Sequence, residues 1–197
     1  MQKLISIVGA SGVGKTSLAR ALSETGRFAH AYEQHTERPF QALFKENRQY
    51  ALANQMDYLL LRAEQERALR TGSLIGLMDG GLDLDFYGFT RLFLSRGLLT
   101  QPEYDLCARL YRLLRELLPA PELIVRLWAD EITVAGRLST RDRINIASAD
   151  DTALFHALLD EWLESMPSER VLHLDVSNET LEYERSTGTI LERLSLV

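Results

Sequence analysis

The chain has 197 residues, of which 46% are hydrophobic and 25% are charged, and its formal net charge is −6. This composition is typical of a globular protein with one good-sized hydrophobic core. An acidic chain without a long basic stretch argues against a nucleic-acid polymer as the main ligand. A small phosphorylated ligand is not excluded, because it needs only a few local cations.

Three further features of the sequence bear on the cellular compartment and on contact with membranes. Cys107 is the only cysteine, so the chain cannot form an intrachain disulfide. No apolar run reaches membrane-spanning length, and the first predicted strand starts almost at Met1, which leaves no room for a targeting segment. We therefore expect a cytoplasmic protein that contacts no membrane.

Short apolar runs alternate with segments of helical periodicity along the chain. In chain order, the pattern predicts a strand at 3–8, a helix at 15–24, a strand at 27–32, a helix at 48–70, a strand at 73–78, a helix at 102–118, a strand at 122–128, helices at 130–137 and 151–165, and a strand at 170–175. Such alternation is typical of a parallel sheet with helices on both faces. The predicted fold class is therefore α/β, with about five parallel strands in a single domain over residues 1–197.

The segment between the first strand and the first helix reads GASGVGKT and matches the phosphate-binding pattern G-x-x-x-x-G-K-[ST] in full. Backbone N–H groups of such a loop and the positive end of the next helix bind phosphate oxygens. Lys15 is expected at the β- and γ-phosphates, and the Thr16 hydroxyl is expected to bind Mg²⁺, so the predicted cofactors are ATP and Mg²⁺. The predicted ATP-binding residues are Gly9, Ala10, Ser11, Gly12, Val13, Gly14, Lys15, Thr16 and Ser17.

Asp79 directly follows the predicted strand at 73–78. Ligands of parallel α/β sheets bind at the carboxyl ends of the strands, so an acid at this place can hold Mg²⁺ directly or through water. Asp79 is therefore predicted as a metal-binding residue together with Thr16. The alternative for this acid is a helix or loop cap.

Four more features follow the phosphate-binding loop along the chain. Glu33 lies near the end of the second predicted strand, and Gln55 sits on the apolar side of the long helix. The run DGGLDLD extends from Asp79 to Asp85 and places two acids six residues apart. Three arginines begin at the end of the predicted helix after the fourth strand, namely Arg137, Arg141 and Arg143. Together with the loop, this order resembles the deoxynucleoside kinase family over almost the whole chain.

The resemblance implies a P-loop kinase that transfers the γ-phosphoryl group of ATP to the 5′-hydroxyl of a deoxynucleoside. It implies that Glu33 is the general base at the acceptor hydroxyl. Gln55 and Asp85 would bind the base of the nucleoside. The three arginines would belong to a lid at about residues 137–150 and would stabilise charge on the phosphates during transfer.

Several positions depart from the family pattern. Phe44, in the implied substrate pocket, stands where a tyrosine that holds the sugar 3′-hydroxyl is expected. Gly80 and Gly81 replace an arginine and a serine, and no glutamate follows Arg143. These departures predict weak discrimination between ribose and deoxyribose, or an acceptor that is not a simple deoxynucleoside.

The residues by themselves leave other roles open. Glu33 and Asp85 could be solvated acids, and Gln55 could bond a neighbouring loop. The arginines could form a basic helix end that the helix dipole favours.

Two other functions also fit the sequence. The first is a nucleoside monophosphate kinase of the thymidylate kinase type, in which the acceptor phosphate would be bound by Arg38, Arg48 and Arg62. The second is a regulatory module that binds nucleotide without phosphoryl transfer. In each case the expected partner is a small-molecule nucleoside or nucleotide, and the expected assembly is a homodimer.

Overall fold

A parallel sheet lies at the centre of the protein. The structure, a computed structural model, describes residues 2–31, 37–139, 149–180 and 182–195. The strands are β1 (Leu4–Val8), β2 (Phe28–Ala31), β3 (Ile75–Asp79), β4 (Leu123–Trp128) and β5 (Val171–Asp175). Within the described ranges these five strands form one sheet in the order β2-β3-β1-β4-β5, with every neighbouring pair parallel. The sheet confirms the predicted α/β class.

Helices connect the strands and cover both faces of the sheet. They are α1 (Lys15–Glu24), α2 (Pro39–Glu46), α3 (Ala51–Arg70), α4 (Leu82–Leu84), α5 (Arg91–Ser95), α6 (Gln101–Leu117), α7 (Glu131–Ser139), α8 (Ala149–Glu164) and α9 (Glu184–Arg193). A π-helical segment at Asp85–Thr90 joins α4 to α5, and 3₁₀ turns lie at Arg48–Tyr50 and Ser168–Arg170. Over the part of the chain that the structure describes, no helix is both long enough and apolar enough to cross a membrane.

The two faces of the sheet carry separate hydrophobic clusters. Ile7 of β1 packs in one cluster with Leu18 and Leu22 of α1, whereas Val8 packs in another with Trp162 of α8. Successive residues of a strand point to opposite faces, so a strand covered on both sides needs an uninterrupted apolar run. Full burial of each such side chain contributes about 1.5–3 kcal/mol to the free energy of unfolding.

The register in which β1 pairs with its neighbours determines where the phosphate-binding loop lies. Ile7 pairs with Asp79 at the end of β3, and Val8 pairs with Arg126 of β4. The carboxyl ends of β1 and β3 are therefore neighbours, and whatever follows β1 lies beside Asp79.

Candidate active site

The loop after β1 turns at the carboxyl edge of the sheet and leads directly into α1. Gly14, the last residue before α1, has a φ of 110°, a left-handed conformation that glycine adopts without a steric penalty. A Cβ at Gly14 would lie 2.0 Å from the Tyr183 hydroxyl and 3.3 Å from a guanidinium nitrogen of Arg137. Position 14 therefore requires glycine both for its backbone angle and for its neighbours.

Lys15 begins α1, and its ammonium group folds back over the loop. Its Nζ donates hydrogen bonds to the backbone oxygens of Gly9 at 3.0 Å and Ala10 at 2.9 Å. The N-terminus of α1 adds positive potential at the same place. The loop therefore presents a cation and backbone donors together, which is an arrangement that binds phosphate.

Thr16 and Asp79 meet next to this cation. The Thr16 hydroxyl donates a hydrogen bond of 2.6 Å to Oδ2 of Asp79, which is 4% exposed. On the neighbouring strand, burial lowers the pKa of His30, and the Asp79 carboxylate acts in the opposite direction. The site therefore combines two oxygen donors of the kind that Mg²⁺ prefers with a nearby imidazole that stays mostly neutral at pH 7.

Arg137 lies on the outer side of the loop. Its two terminal nitrogens donate to the backbone oxygens of Val13, at 2.6 Å, and Val176, at 3.0 Å. The adjacent Tyr183 is 1% exposed and has a φ of 52°, an uncommon conformation for a residue other than glycine. Arg137 and Tyr183 therefore join α7 and the segment before α9 to the backbone of the phosphate-binding loop.

Gln55 and Asp85 come together where α3 meets the π-helical segment. Gln55 of α3 is 3% exposed and Asp85 of the π-helical segment is 4% exposed. The Thr90 hydroxyl donates to Oε1 of Gln55 and to the backbone oxygen of Asp85, both at 3.0 Å. Nε of Arg62 donates to Oδ2 of Asp85, also at 3.0 Å. The structure thus assembles a buried set of donors and acceptors around the two residues that the sequence indicated.

Phe44 packs on aromatic and aliphatic side chains. Its ring lies 5.1 Å, centroid to centroid, from the ring of Phe93, and it adjoins the cluster of Ala51, Phe93 and Leu99. A hydrocarbon ring in this cluster supplies no hydrogen bond to a sugar hydroxyl.

A buried ionic network that was not predicted from the sequence supports the helical turn that leads to Asp85. Arg115 of α6 donates to both carboxylate oxygens of Glu66, at 2.9 and 3.0 Å, and to Oδ1 of Asp83 at 2.8 Å. The Tyr111 hydroxyl donates to the same Asp83 oxygen at 2.6 Å, and burial followed by the Asp83 charge raises the pKa of Tyr111. The network fixes α4 between α3 and α6, and Asp85 directly follows α4.

A signal for part of this network is present in the sequence. Gln55, Arg62 and Glu66 are spaced by seven and four residues, so they share one face of α3, and all three are buried. Polar side chains repeated on a buried helix face need partners, and the partners come from Thr90, Asp85 and Arg115.

The described residues do not include every predicted site residue. Glu33, Arg141 and Arg143 lie outside the described residues, as does most of the predicted lid at 137–150. Arg38, which the monophosphate kinase alternative assigns to the acceptor phosphate, is among the described residues. Its guanidinium forms a bidentate ion pair with Asp57.

Comparison with solved structures places the fold among nucleoside kinases. The chain is similar to a deoxyadenosine kinase from M. mycoides in three structures, which contain the products dCMP and a flexible dCDP, dATP, or dCTP. The TM-scores are 0.76, 0.77 and 0.77, and the identities are 17%, 17% and 15%. Each alignment covers 98% of this chain and 99–100% of the other. Identities this low establish the fold alone.

Comparison of the sequence with family models decides the family. The model described as deoxynucleoside kinase matches residues 5–196 of the 197 residues. No curated protein sequence matches this chain. Nearly the full length is covered by the family match, including the phosphate-binding loop, Gln55 and Asp85. The chain therefore belongs to the deoxynucleoside kinase family, whose members are ATP-dependent phosphotransferases.

Proposed function

We propose that this enzyme transfers the γ-phosphoryl group of ATP·Mg²⁺ to the 5′-hydroxyl of a deoxynucleoside whose base carries an exocyclic amine, such as deoxyadenosine or deoxycytidine. The observation that carries the proposal is the buried set of Gln55, Arg62 and Asp85 beside the end of β3. Family membership favours this acceptor over a nucleoside monophosphate, and favours an enzyme over a regulatory module.

Thr16 and Asp79 would hold Mg²⁺. A hydroxyl and a carboxylate are hard oxygen donors, and their oxygens lie within 2.6 Å of each other beside the loop. When bound, the ion would neutralise part of the phosphate charge. Lys15 would add a second cation at the β- and γ-phosphates.

The hydrogen-bond donors and acceptors of Asp85 and Gln55 favour a base that carries an exocyclic amine. The Asp85 carboxylate accepts hydrogen bonds and cannot donate them when ionised, so it suits the amine of adenine or cytosine. The Gln55 amide can donate to the ring nitrogen next to that amine. Thymine would bring a carbonyl oxygen to the carboxylate instead, and a buried polar group left unpaired costs about 1–3 kcal/mol.

The similar structures support the same choice of base. The nucleotides bound in them, dCMP, dCDP, dATP and dCTP, all carry an exocyclic amine. That observation concerns the M. mycoides enzyme, and its extension to this chain is part of the proposal.

The transfer step would use residues that the family resemblance supplies. Glu33 would accept the proton of the 5′-hydroxyl while that oxygen bonds to the γ-phosphorus. The bond from the γ-phosphorus to the bridging oxygen would break, and ADP would leave. Arg137, Arg141 and Arg143 would stabilise the developing charge and close over the phosphates as a lid at about residues 137–150.

A substrate panel tests the proposal. Purified protein is incubated with ATP, Mg²⁺ and one acceptor from deoxyadenosine, deoxycytidine, deoxyguanosine, thymidine and dAMP, and ADP formation and product mass are measured. We expect the highest kcat/KM on deoxyadenosine or deoxycytidine, and no use of dAMP. A preference for thymidine, deoxyguanosine or dAMP, or no transfer to any acceptor, would refute it.

Two variants test the roles of single residues. Gln55→Leu should lower kcat/KM for the preferred nucleoside by on the order of 10²-fold or more, because the site loses a partner for the base. Gln49→Leu, at an exposed glutamine of the preceding 3₁₀ turn, is the matched control. Glu33→Gln should reduce kcat sharply while the Kd of ATP stays near that of the unmodified enzyme.

We also propose that the enzyme is a homodimer that pairs through α6. Leu106, Leu113 and Leu117 of this helix are 39%, 54% and 64% exposed, and their spacing puts them on one face. Exposed leucines that repeat along one helix face are typical of a helix–helix contact between copies. Leu113→Glu should therefore reduce the mass measured by light scattering to that of one chain, whereas Leu74→Glu, at an exposed leucine before β3, should leave it unchanged.

The proposed enzyme is one domain over residues 1–197 and acts in the cytoplasm. The buried free thiol of Cys107 supports a reducing compartment.

A further inference from the structure

We infer that Arg62 is a catalytic residue that acts at the acceptor hydroxyl from the space beside Gly80. This inference rests on the proposed nucleoside kinase function. It assigns to a residue of α3 a role at the transferred group, in addition to its ion pair with Asp85.

The three nitrogens of the Arg62 guanidinium point in different directions. Nε donates to Asp85 at 3.0 Å and Nη1 donates to Gln65 at 3.2 Å, whereas Nη2 lies 3.7 Å from the place that a Cβ on Gly80 would occupy. The residue is 6% exposed, so its side chain is held inside the protein. The guanidinium therefore extends from the base-binding side of the site to the residue that follows Asp79.

Position 80 is next to the proposed metal site. Gly80 directly follows Asp79, and the Asp79 carboxylate accepts from Thr16 of the phosphate-binding loop. Its backbone has a φ of 89°, which side chains other than hydrogen rarely allow. A Cβ there would also approach Leu84 to 3.3 Å. The space beside Gly80 can therefore hold a cationic side chain from another helix.

Two other arginines that come near this region in sequence, Arg38 and Arg91, lie in other ion pairs. Arg38 pairs with Asp57, and Arg91 donates to Glu161 at 2.8 Å in a partly exposed ion pair. Of these three, Arg62 is the arginine whose guanidinium lies beside Gly80.

A cation beside Gly80 would stabilise the negative charge that develops during phosphoryl transfer. As the 5′-oxygen loses its proton to the proposed base Glu33 and bonds to the γ-phosphorus, negative charge spreads over the oxygens of the transferred group. Nη2 of Arg62 would donate a hydrogen bond to the acceptor oxygen or to this group, and Arg62 would stay protonated throughout. Because Asp85 and Gln65 already fix the side chain, the donor is oriented before the reaction.

The alternative is that Arg62 only pairs with Asp85 and helps to bind the base. The two roles differ in kinetics. A base contact is made equally in the ground state and the transition state and therefore changes KM, whereas a contact formed at the transferred group changes kcat.

The experiment measures steady-state kinetics with the preferred nucleoside of the panel, and the affinity for ATP is measured by calorimetry.

Three Arg62 variants are compared. Arg62→Lys keeps the charge opposite Asp85 but cannot reach Asp85 and the Gly80 space together. Arg62→Ala opens room for added guanidinium ion. Arg62→Gln combined with Asp85→Asn removes both buried charges at once, which protects folding when the single variants fail to fold. Arg91→Gln, at the partly exposed pair with Glu161, is the control.

We expect kcat to fall by on the order of 10²–10³-fold in Arg62→Lys and in the double variant, with the Kd of ATP unchanged. Millimolar guanidinium should restore part of kcat in Arg62→Ala and nothing in Arg62→Lys. The inference is overturned when the folded variants keep kcat within about threefold of the unmodified enzyme and change only KM. An unmodified enzyme that phosphorylates no nucleoside would instead overturn the proposed function.

Discussion

The Thr16 hydroxyl donates a 2.6 Å hydrogen bond to Oδ2 of Asp79, so the first turn of α1 and the last residue of β3 are joined at one point. Sixty-three positions separate the two residues in sequence, and the parallel pairing of β1 with β3 brings them together. The proposed metal site thus depends on the sheet register as much as on the loop motif.

The first prediction concerns Mg²⁺. Asp79→Asn and Thr16→Ala should each raise the Mg²⁺ concentration that gives half-maximal turnover at fixed ATP, because each removes an oxygen ligand. Thr16→Ser keeps the hydroxyl and should behave like the unmodified enzyme. An unchanged Mg²⁺ dependence in Asp79→Asn would argue that this carboxylate only caps the loop.

The second prediction concerns Lys15. Lys15→Ala should lower kcat/KM for ATP by at least on the order of 10²-fold, because the loop loses its cation at the phosphates. The control is Lys45→Ala, which removes an exposed lysine that pairs with Glu37. Calorimetry with ATP and steady-state kinetics both measure the effect, and equal losses in the two variants would contradict the assignment.

The third prediction concerns the ionic network under α4. Arg115→Met should lower the free energy of unfolding by about 3–5 kcal/mol, because Asp83 would remain buried without its ion-pair partner and Glu66 would keep only its longer bond to Arg70. Arg112→Met changes an exposed arginine of the same helix and should cost less than about 0.5 kcal/mol. Urea denaturation measures both, and similar values for the two variants would show that the network contributes little.

The fourth prediction concerns pH. Burial raises the pKa of the Cys107 thiol from 9.0 to about 11. The folded state therefore favours the neutral thiol, and this contribution to stability is complete below pH 9 and is lost as pH rises towards 11. Native protein should react slowly with iodoacetamide up to pH 9, and urea-unfolded protein should react quickly. Burial also raises the pKa of Tyr111, so comparison with Cys107→Ala isolates the contribution of the thiol. Rapid labelling of native protein at pH 8 would contradict the burial argument.

The fifth prediction concerns the sugar. The ring of Phe44 packs near Phe93 and offers no hydrogen bond to a sugar 3′-hydroxyl, so deoxyadenosine and 2′,3′-dideoxyadenosine should differ in kcat/KM by about tenfold or less. Phe44→Tyr adds a hydroxyl at this position and should increase the discrimination. Competition between the two nucleosides measures the ratio, and a native preference of about 10⁴ would show that another group senses the sugar.

Regular periodicity was enough to predict much of the fold. The helix at 15–24 agrees with α1, and each predicted strand overlaps an observed one. The pattern failed between Leu82 and Ser95, where a π-helical segment departs from a period of 3.6 residues and contains Gly88. It also failed at α9, which has an interior glycine at 188 and only one buried large apolar side chain, Ile190.

The site was predictable where its residues are contiguous in sequence. The phosphate-binding loop is a local motif, whereas the pairing of Arg62 with Asp85 depends on how α3 packs against the π-helical segment. Spacing alone could place Arg62 on a face of α3 but could not show which group it meets. The leucines of α6 illustrate the same limit, because periodicity marks an apolar face without telling whether the core or another copy covers it.

The contact between Tyr183 and Gly14 has a consequence for biosynthesis. A ribosome completes the phosphate-binding loop early, yet the side chain that closes its outer side belongs to a residue synthesised roughly 170 positions later. Because translation adds on the order of 5–20 residues per second, the loop spends roughly 8–34 seconds without this neighbour. A nascent chain that stops before residue 183 should therefore hold ATP less tightly than the finished protein, and nucleotide affinity reports on completion of the chain.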